Sequence, residues 1–323
     1  MRIFVDDGST NIKLAWMDDG ALKTLISPNS FKPEWSMKLA MSGADVSDNY
    51  EIDGEKYSFD QLSPDAIRTT ETRYQYSDVN VVAIHHALMQ TGISPQPIDV
   101  VVTLPLGEYL DENNQPNMEN IERKKANVKR AVKVQDHESF TIQKVSVLPE
   151  SVPAGFKVLK DLKELESLLI VDIGGTTLDI SHVRSKMSGF VKTYCDPKTG
   201  VSLVTDAVKS AMDTNVNTRT SSYVADRLIQ ARHDETFLAN HLRNAEQREK
   251  ILSVMKERET TLKHRVVKAV ERFSGFSHAM VVGGGADIVA DAVKAATGVD
   301  DESFFVSETP QFDLVLGMLA MRG

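Results

Sequence analysis

Hydrophobic and polar residues near the N-terminus alternate in short runs separated by turn residues, a pattern typical of β-strands. The apolar runs RIFVDD, IKLAWM and ALKTLI, all within residues 2–26, predict three strands, and Asp18-Asp19-Gly20 predicts a hairpin between the last two. A second hairpin is predicted over 50–59, with Asp-Gly at its turn. The surrounding stretch, 27–75, is more polar, and we expect it to form a small inserted subdomain.

Further along, helical periodicity alternates with short apolar runs. The runs predict buried strands over 98–105, 140–148, 168–171, 178–183 and 279–282. Helices are predicted over 78–90, 117–133, 152–165, 201–212, 221–232, 242–273, 287–296 and 313–321. The helix over 242–273 carries one apolar stripe: Ile251, Val254, Met255, Leu262, Val266, Val270 and Phe273. Such alternation of strands and helices indicates an α/β protein.

One short motif occurs twice. It reads VDDGSTNI over 5–12 and VDIGGTTL over 171–178, and each copy joins two apolar runs. Glycine, serine and threonine in a tight turn leave backbone N–H groups free to bind phosphate, and the aspartate suits a hydrated Mg²⁺ on that phosphate. Single copies could be plain hairpin turns, because Asp and Gly are common in turns. The duplication predicts two facing turns that hold the phosphate tail of a nucleotide.

Three further features support a nucleotide site. The strand 279–282 ends in Gly283-Gly284-Gly285, and glycines there let the backbone approach a ligand closely. Lys13 lies on the strand after the first turn, where it could reach phosphate oxygens, although a strand lysine is commonly solvent-facing. Glu150 follows a predicted strand; it could orient a water in the cleft or simply favour a helix N-terminus.

Composition narrows the functional classes. The 323 residues are enough for about two domains, and the net charge of −9 disfavours direct binding to DNA. Cys195 is the sole cysteine, so an intrachain disulfide is excluded and a reducing cytoplasm is expected. The N-terminus lacks the apolar stretch of a signal peptide, and no run is long enough to span a membrane. No P-loop, Ser-His-Asp or zinc pattern is visible.

Other candidate features have simpler interpretations. Adjacent His85 and His86 face different ways on a helix, which argues against a metal pair. The basic segments 122–125 and 129–130 are expected to form a solvated helix face. Four apolar residues of the inserted subdomain could form its core or an exposed patch for self-association: Phe31, Trp35, Met37 and Leu39.

The paired turns and the late glycine triplet resemble the nucleotide site of the actin–Hsp70–sugar kinase superfamily. More specifically, several segments are similar to the ParM (StbA) family of actin-like ATPases that segregate plasmids. These are FVDDGSTNIKL (4–14), ISPNSFK (26–32), YSDVNVV (76–82), NNQPN (113–117), ENIERKKAN (119–127), LIVDIGGTTLDI (169–180) and VVGGGAD (281–287). The segments 26–32 and 113–127 lie outside the shared nucleotide motifs.

This resemblance implies a duplicated, ribonuclease H-like actin fold with two domains around a nucleotide cleft. Domain I would span 1–165, with the insertion at about 27–75 and the helix at about 306–323 packing back on it. Domain II would span 166–305, with a helical subdomain at about 200–275. The implied nucleotide-binding residues are Asp6, Gly8, Ser9, Thr10, Asn11, Lys13, Gly174, Gly175, Thr176, Thr177, Gly283, Gly284 and Gly285.

The same resemblance implies the chemistry and the partners. Glu150 and Asp172 would be catalytic, and Asp172 and Asp6 would hold Mg²⁺ through water. The nucleotide would be ATP, with GTP as the alternative. ATP would drive assembly into filaments, and a ParR-type adaptor would link the filament to plasmid centromere DNA, without a membrane. A small-molecule kinase on the same fold is the alternative function, with Asp99 or Asp111 as a candidate base.

Overall fold

The computed structural model describes residues 1–37 and 48–322. Strands in these ranges are β1 (Arg2–Asp7), β2 (Asn11–Asp18), β3 (Ala21–Pro28), β4 (Phe31–Pro33), β5 (Asn49–Ile52), β6 (Glu55–Phe59), β7 (Pro97–Leu104), β8 (Lys133–Val134), β9 (Thr141–Pro149), β10 (Ser167–Ile173), β11 (Leu178–Arg184), β12 (Phe190–Asp196), β13 (His278–Val282) and β14 (Phe304–Phe305).

The helices are α1 (Asp78–Met89), α2 (Leu106–Tyr109), α3 (Met118–Val128), α4 (Phe156–Asp161), α5 (Ser202–Val216), α6 (Ser222–Gln230), α7 (Glu235–His241), α8 (Ala245–Val270), α9 (Ala286–Thr297) and α10 (Asp313–Arg322). Short 3₁₀ helices cover Thr72–Tyr76, Val152–Gly155, Ser185–Met187, Asp301–Ser303 and Pro310–Phe312. No helix within the described ranges is both long and apolar enough to cross a membrane.

Two five-stranded sheets share one topology. The first has the order β3-β2-β1-β7-β9 and the second β12-β11-β10-β13-β14. In both, the first two pairings are antiparallel and the last two are parallel. The chain therefore contains the same mixed sheet twice, and the predicted duplication in an α/β fold is confirmed.

Each sheet has its own hydrophobic core. The first sheet packs against α1 and α3, and the second against α5, α8 and α9. Every residue of β10 is buried, as expected for a central strand that is covered on both faces. A third cluster, which includes Leu106, Leu168 and Leu314, joins the two halves beside the cleft.

The C-terminal helix α10 returns to the first sheet. Val315 and Met318 are fully buried against Phe4, Ala15 and other residues of that sheet. The helix also packs on the Val152–Gly155 turn, which enters the linker between the halves. The last helix therefore covers the first sheet and touches the linker at the same time.

A four-stranded sheet, β4-β6-β5-β8, forms the small inserted unit. Phe31 is fully buried in its core, with ring centroids 6.1 Å from Tyr50 and 5.5 Å from Phe59. Trp35 is 37% exposed and donates its Nε1–H to the Tyr50 carbonyl at 2.9 Å, whereas Met37 is 91% exposed. Phe31 is therefore a core residue of the inserted unit, whereas Met37 is exposed and Trp35 lies between these extremes. Leu39 lies outside the described residues.

Three predicted helices are too long. The predicted helix over 117–133 ends at Val128, and Lys133–Val134 instead pairs with β5. Over 152–165 a 3₁₀ turn covers Val152–Gly155 and the helix α4 spans only Phe156–Asp161. Gly155 packs closely on the second sheet at this point, because a Cβ there would lie 2.5 Å from Ile170 Cδ1. Over 242–273 the helix begins only at Ala245, where the Asn244 side chain caps it.

Gly317 tests the docking of α10. A Cβ at this position would lie 1.8 Å from the Pro153 carbonyl oxygen. Alanine normally favours a helix over glycine, yet Gly317→Ala should lower the free energy of unfolding by about 1–3 kcal/mol, because backbone must move. Denaturant titration measures this loss. The exposed Ala320→Ser on the same helix is the control, and equal stability of Gly317→Ala and the wild-type protein would contradict the packing.

Candidate functional site

The two repeated turns meet across a cleft between the two sheets. One turn joins β1 to β2 and the other joins β10 to β11. Ser9 Oγ lies 2.6 Å from Thr176 Oγ1, and a Cβ on Gly175 would lie 2.6 Å from Thr10 Cγ2. The cleft is therefore narrowest where the hydroxyl and glycine residues of both copies face each other.

A buried ion pair lies directly behind the first turn. Asp6 on β1 is the cross-strand partner of Lys13 on β2, and Lys13 Nζ lies 2.8 Å from Asp6 Oδ2. Burial alone would lower the pKa of Lys13, but the Asp6 carboxylate, together with Asp172 and Glu150, raises it. Lys13 therefore stays cationic inside the cleft, where it can attract a phosphate group.

Glu150 and Asp172 lie side by side at the ends of β9 and β10. The Ser151 N–H donates to Asp172 Oδ2 at 3.1 Å, while the Glu150 N–H donates to the Leu104 carbonyl at 2.8 Å. Ser151 has φ +72° and ψ −61°, a conformation that costs a residue other than glycine about 1–3 kcal/mol and that occurs at functional sites. This turn places Glu150 at the end of β9 and directs the Ser151 N–H in the linker towards Asp172.

The cleft concentrates buried carboxyl groups. Burial and the neighbouring carboxylates of Asp179 and Asp6 raise the pKa of Asp172 to about 8. Burial and the same neighbours also raise the pKa of Glu150 well above its ordinary value. Burial raises the pKa of Asp6, although Lys13 opposes this effect. A cation is therefore favoured at this position, because it would relieve the repulsion between these groups.

The donor set fits Mg²⁺ bound through water. No group of three His, Cys, Asp or Glu side chains in 1–37 and 48–322 is placed to hold a metal ion directly. Mg²⁺ commonly keeps several waters and binds one or two carboxylates together with substrate phosphates. Asp6 and Asp172 are the carboxylates that lead the two turns, so they are the residues that would hold the hydrated ion.

The glycine triplet completes the rim of the cleft. Gly283 has φ +90°, and a Cβ there would lie 2.5 Å from the Ile173 carbonyl oxygen and 2.6 Å from Asp172 Oδ1. Gly285 packs against the second half instead. A Cβ at this position would lie 2.6 Å from Val201 Cγ2 and 3.0 Å from Ile173 Cγ1. Gly283 and Gly284 line the cavity, and Gly285 holds the loop against the second sheet.

The predicted site residues converge on this cavity. Asn11 lines the adjoining cavity instead of the narrow one, and Gly285 lines neither. Thirteen of the predicted residues are among those that line the narrow cavity between the turns: Asp6, Gly8, Ser9, Thr10, Lys13, Glu150, Asp172, Gly174, Gly175, Thr176, Thr177, Gly283 and Gly284.

A second, larger cavity of about 610 Å³ opens beside the phosphate turns. It lies between the loop at 61–70 and helices α5 and α6 of the second half. Half-buried Asp226 lines it and accepts a hydrogen bond from Thr205 Oγ1 at 2.5 Å; burial raises its pKa to about 6. A cavity with carboxylate and amide side chains suits the sugar and base of a nucleotide.

Contacts bridge the mouth of the larger cavity. Arg68 pairs with Asp206 at 3.1 Å, and Ser221 Oγ donates to the Gln61 carbonyl at 2.6 Å. Because the loop belongs to the first half and the two helices to the second, these contacts tie the halves together over the cavity.

Sequence reasoning missed several residues of the site. Asp179 lies on the strand that returns from the second turn and accepts the Leu106 N–H at 2.9 Å across the two halves. Gln75 and Asp226 line the two cavities from segments without a recognisable motif. Asp179 was the one with a local signal, as a second aspartate in the VDIGGTTLDI run.

The basic helix face was also misjudged in part. Lys124 was expected in solvent with its neighbours, yet its side chain is fully buried and paired with Asp7. Nothing in the local pattern distinguishes it from Lys125, which is partly exposed and pairs with Glu122.

Family models cover both halves of the chain. A model described as plasmid segregation protein ParM, N-terminal, matches residues 1–161. A model described as plasmid segregation protein ParM, C-terminal, matches residues 162–321. The chain belongs to the ParM family of plasmid segregation proteins. No curated protein matches this ParM-family chain in sequence.

Solved structures show the same actin-like fold. A 15-stranded ParM filament from Clostridium botulinum has a TM-score of 0.72 at 15% identity, covering 99% of this chain and 98% of that one. A non-polymerisable quadruple mutant of pCBH ParM has a TM-score of 0.71 at 17% identity, with the same coverage. The archaeal actin homologue Ta0583, in complex with ADP, has a TM-score of 0.66 at 15% identity and full coverage of both chains.

The raised pKa of Asp172 predicts a stability cost in this ParM-family chain. The Asp172 carboxyl loses its proton at a pKa of about 3.9 in the unfolded chain and of about 8 in the folded protein. Between these two values the free energy of unfolding therefore falls as pH rises, by up to about 1.4 kcal/mol per pH unit. Without nucleotide and Mg²⁺, Asp172→Asn should therefore gain more stability at pH 8 than at pH 5. Thermal melts measure this. Exposed Asp18→Asn is the control, and a pH-independent difference would contradict the assignment.

Proposed function

We propose that this chain is an ATPase that polymerises into dynamic filaments with ATP and thereby segregates plasmid DNA. The observation that carries the proposal is the meeting of the two aspartate-led turns across the cleft, with Ser9 and Thr176 in contact and Glu150 and Asp172 at the base. Membership of the ParM family supports it, because both halves match.

The nucleotide would lie along the two cavities. The phosphate tail would lie between the turns, where Gly8, Gly175 and Gly284 line the narrow cavity and their backbone N–H groups would bind it. The sugar and base would lie in the larger cavity beside Asp226. The Ser9–Thr176 hydrogen bond would give way to phosphate, since both hydroxyls can donate to it. ATP is the proposed nucleotide, with GTP as the alternative.

Residues of both halves would supply the catalytic groups. When bound, Mg²⁺ would neutralise the charge on the phosphates, and Asp6 and Asp172 would hold it through water. Lys13 would stabilise the phosphate charge from the first turn. Glu150 would orient the attacking water and accept its proton. Burial and the neighbouring carboxylates raise its pKa, which makes the ionised carboxylate a stronger base.

Nucleotide binding would control the angle between the two halves. The γ-phosphate would contact both turns at once, through Ser9, Thr10, Gly175 and Thr176, so ATP would close the cleft more strongly than ADP. Moving a two-state cleft from a closed-to-open ratio of 1:99 to one of 99:1 needs a ligand that binds the closed state more tightly by about 5.5 kcal/mol. Several charge-assisted hydrogen bonds can supply that amount. A filament contact that spans both halves would then form only at one cleft angle.

The proposed partners follow from charge and family. Copies of this chain would form the filament, as the ParM of Clostridium botulinum does. A DNA-bound adaptor of the ParR type would hold plasmid centromere DNA, because a net charge of −9 gives the filament protein no attraction to DNA. We propose the cytoplasm as the location, in agreement with the sole cysteine, Cys195.

The kinase alternative lacks support in the site. A kinase needs a base near the terminal phosphate, and the candidates were Asp99 and Asp111. Asp99 lies near the start of β7, at the opposite end from the cleft. Asp111 accepts backbone hydrogen bonds from Asn113 and Gln115 in an exposed turn. Neither residue lines the two cavities.

Glu150→Ala tests the catalytic role. The variant should bind ATP and polymerise, while hydrolysis falls by about 10²–10⁴-fold, because the water loses its general base. Its filaments should therefore persist. Phosphate release and light scattering measure both properties, with exposed Glu138→Ala as the control. Loss of ATP binding in Glu150→Ala would show a binding or folding role instead.

The critical concentration for assembly tests the proposed function itself. ATP should lower it about tenfold or more relative to ADP, since one or two additional hydrogen bonds to a charged group amount to about 1.4 kcal/mol or more. Sedimentation and light scattering over a range of protein concentrations give both values. Equal critical concentrations with ATP and ADP would contradict nucleotide control of assembly.

A further inference from the structure

Gln75 is a buried amide in the cleft that the mechanism above does not use. It lies in the 3₁₀ helix Thr72–Tyr76, and only 5% of its surface is exposed. It lines the narrow cavity together with Ser9 and Glu150, but not the larger cavity that contains Asp226. Gln75 therefore lines the part of the cleft proposed for the phosphate tail and not the part proposed for the nucleoside.

A buried ammonium group fixes the orientation of the Gln75 side chain. Lys124 Nζ donates to Gln75 Oε1 at 2.5 Å and to the Gln75 carbonyl at 3.0 Å. Lysine can only donate, so the amide must turn its oxygen towards Lys124. The Nε2 of Gln75 therefore points away from Lys124, and it makes no hydrogen bond to a protein acceptor among the residues that the structure describes.

Lys124 is itself held in place on several sides. Its ammonium pairs with Asp7 Oδ2 and donates to Asn80 Oδ1 at 3.0 Å. Asp7 also accepts from the Asn80 side chain at 2.8 Å and from the Thr103 N–H at 3.2 Å. Both Lys124 and Asp7 have no exposed side-chain surface. Buried contacts through Lys124 thus connect Asp7, which precedes the first turn, to the Gln75 amide in the cavity.

We propose that Gln75 donates its Nε2–H to the terminal phosphate of the bound nucleoside triphosphate, and that Lys124 is the positioning residue that orients this amide. Phosphate oxygens only accept hydrogen bonds, so an oriented N–H suits them. Gln75 lines the same narrow cavity as Glu150, the residue proposed to act on water at the terminal phosphate, so the contact exists with a triphosphate and is lost with a diphosphate. The inference rests on the proposed function and adds a residue that distinguishes ATP from ADP.

Gln75→Glu separates this contact from the structural role of the side chain. One carboxylate oxygen still accepts from Lys124, so the buried chain of contacts should be kept, and a thermal melt checks that the variant is folded. The other oxygen replaces the N–H donor with an acceptor that repels phosphate. Affinity for a non-hydrolysable ATP analogue with Mg²⁺ should fall about 10- to 100-fold, while affinity for ADP stays unchanged. Exposed Gln143→Glu adds the same charge elsewhere and is the control.

Each outcome of this titration decides the role of Gln75. An equal loss of affinity for both nucleotides would overturn the proposal, because the residue would then shape the site as a whole. Unchanged affinity for the ATP analogue would also overturn it. Failure of the wild-type protein to bind either nucleotide would instead overturn the proposed function, so the two failures are distinguishable.

A double variant tests the positioning role of Lys124. Asp7→Asn with Lys124→Met removes both buried charges together, so no unpaired charge remains in the core. The Gln75 amide is then free to rotate, and the preference for the ATP analogue over ADP should shrink. The ratio of the two affinities is the readout, since a general loss of stability would not change it. A folded double variant that keeps the wild-type ratio would overturn the role of Lys124.

Discussion

A cluster of buried carboxyl groups at the base of the cleft is the constraint on which the rest of the structure depends. Both halves contribute carboxylates to this region: Asp6, Asp7, Glu150, Asp172 and Asp179. Lys13 and Lys124 offset two of them. Backbone N–H groups bind others, as Ser151 does for Asp172 and Leu106 for Asp179. Ionising the remaining carboxyl groups together is unfavourable in this buried site, and under the proposed function a hydrated cation bound with the nucleotide would relieve that cost.

The duplicated topology explains why these charges meet. In each sheet the aspartate-led turn follows the central strand, β1 or β10, and the two copies face each other across the cleft. Under the proposed function, a ligand held by both turns would therefore affect the relation between the halves. The contacts of Arg68 and Ser221 over the larger cavity depend on that relation too. Chemistry and domain closure would then be coupled, because the same turns would serve both.

Helix lengths were predicted least well, because local periodicity contains no information about competing tertiary contacts. The segment 117–133 has helical periodicity throughout, yet its last residues pair with the edge of the small sheet. The segment after Glu150 is apolar and helix-like, but Gly155 must pack closely on Ile170 and Ser151 must adopt positive φ to reach Asp172. Both departures place the chain where the site or the inserted unit requires it.

The sequence by itself determined the fold class, the duplication and most of the cavity lining, because these depend on short-range patterns: apolar runs, tight turns and their repetition. The tertiary structure decided which polar residues from unrelated segments join that site. Lys124 resembles its solvent-facing neighbours in sequence, and Gln75 and Asp226 lie in no motif. Their burial and partners depend on contacts between segments far apart in the chain, as the Lys124–Asp7 pair across 117 positions shows.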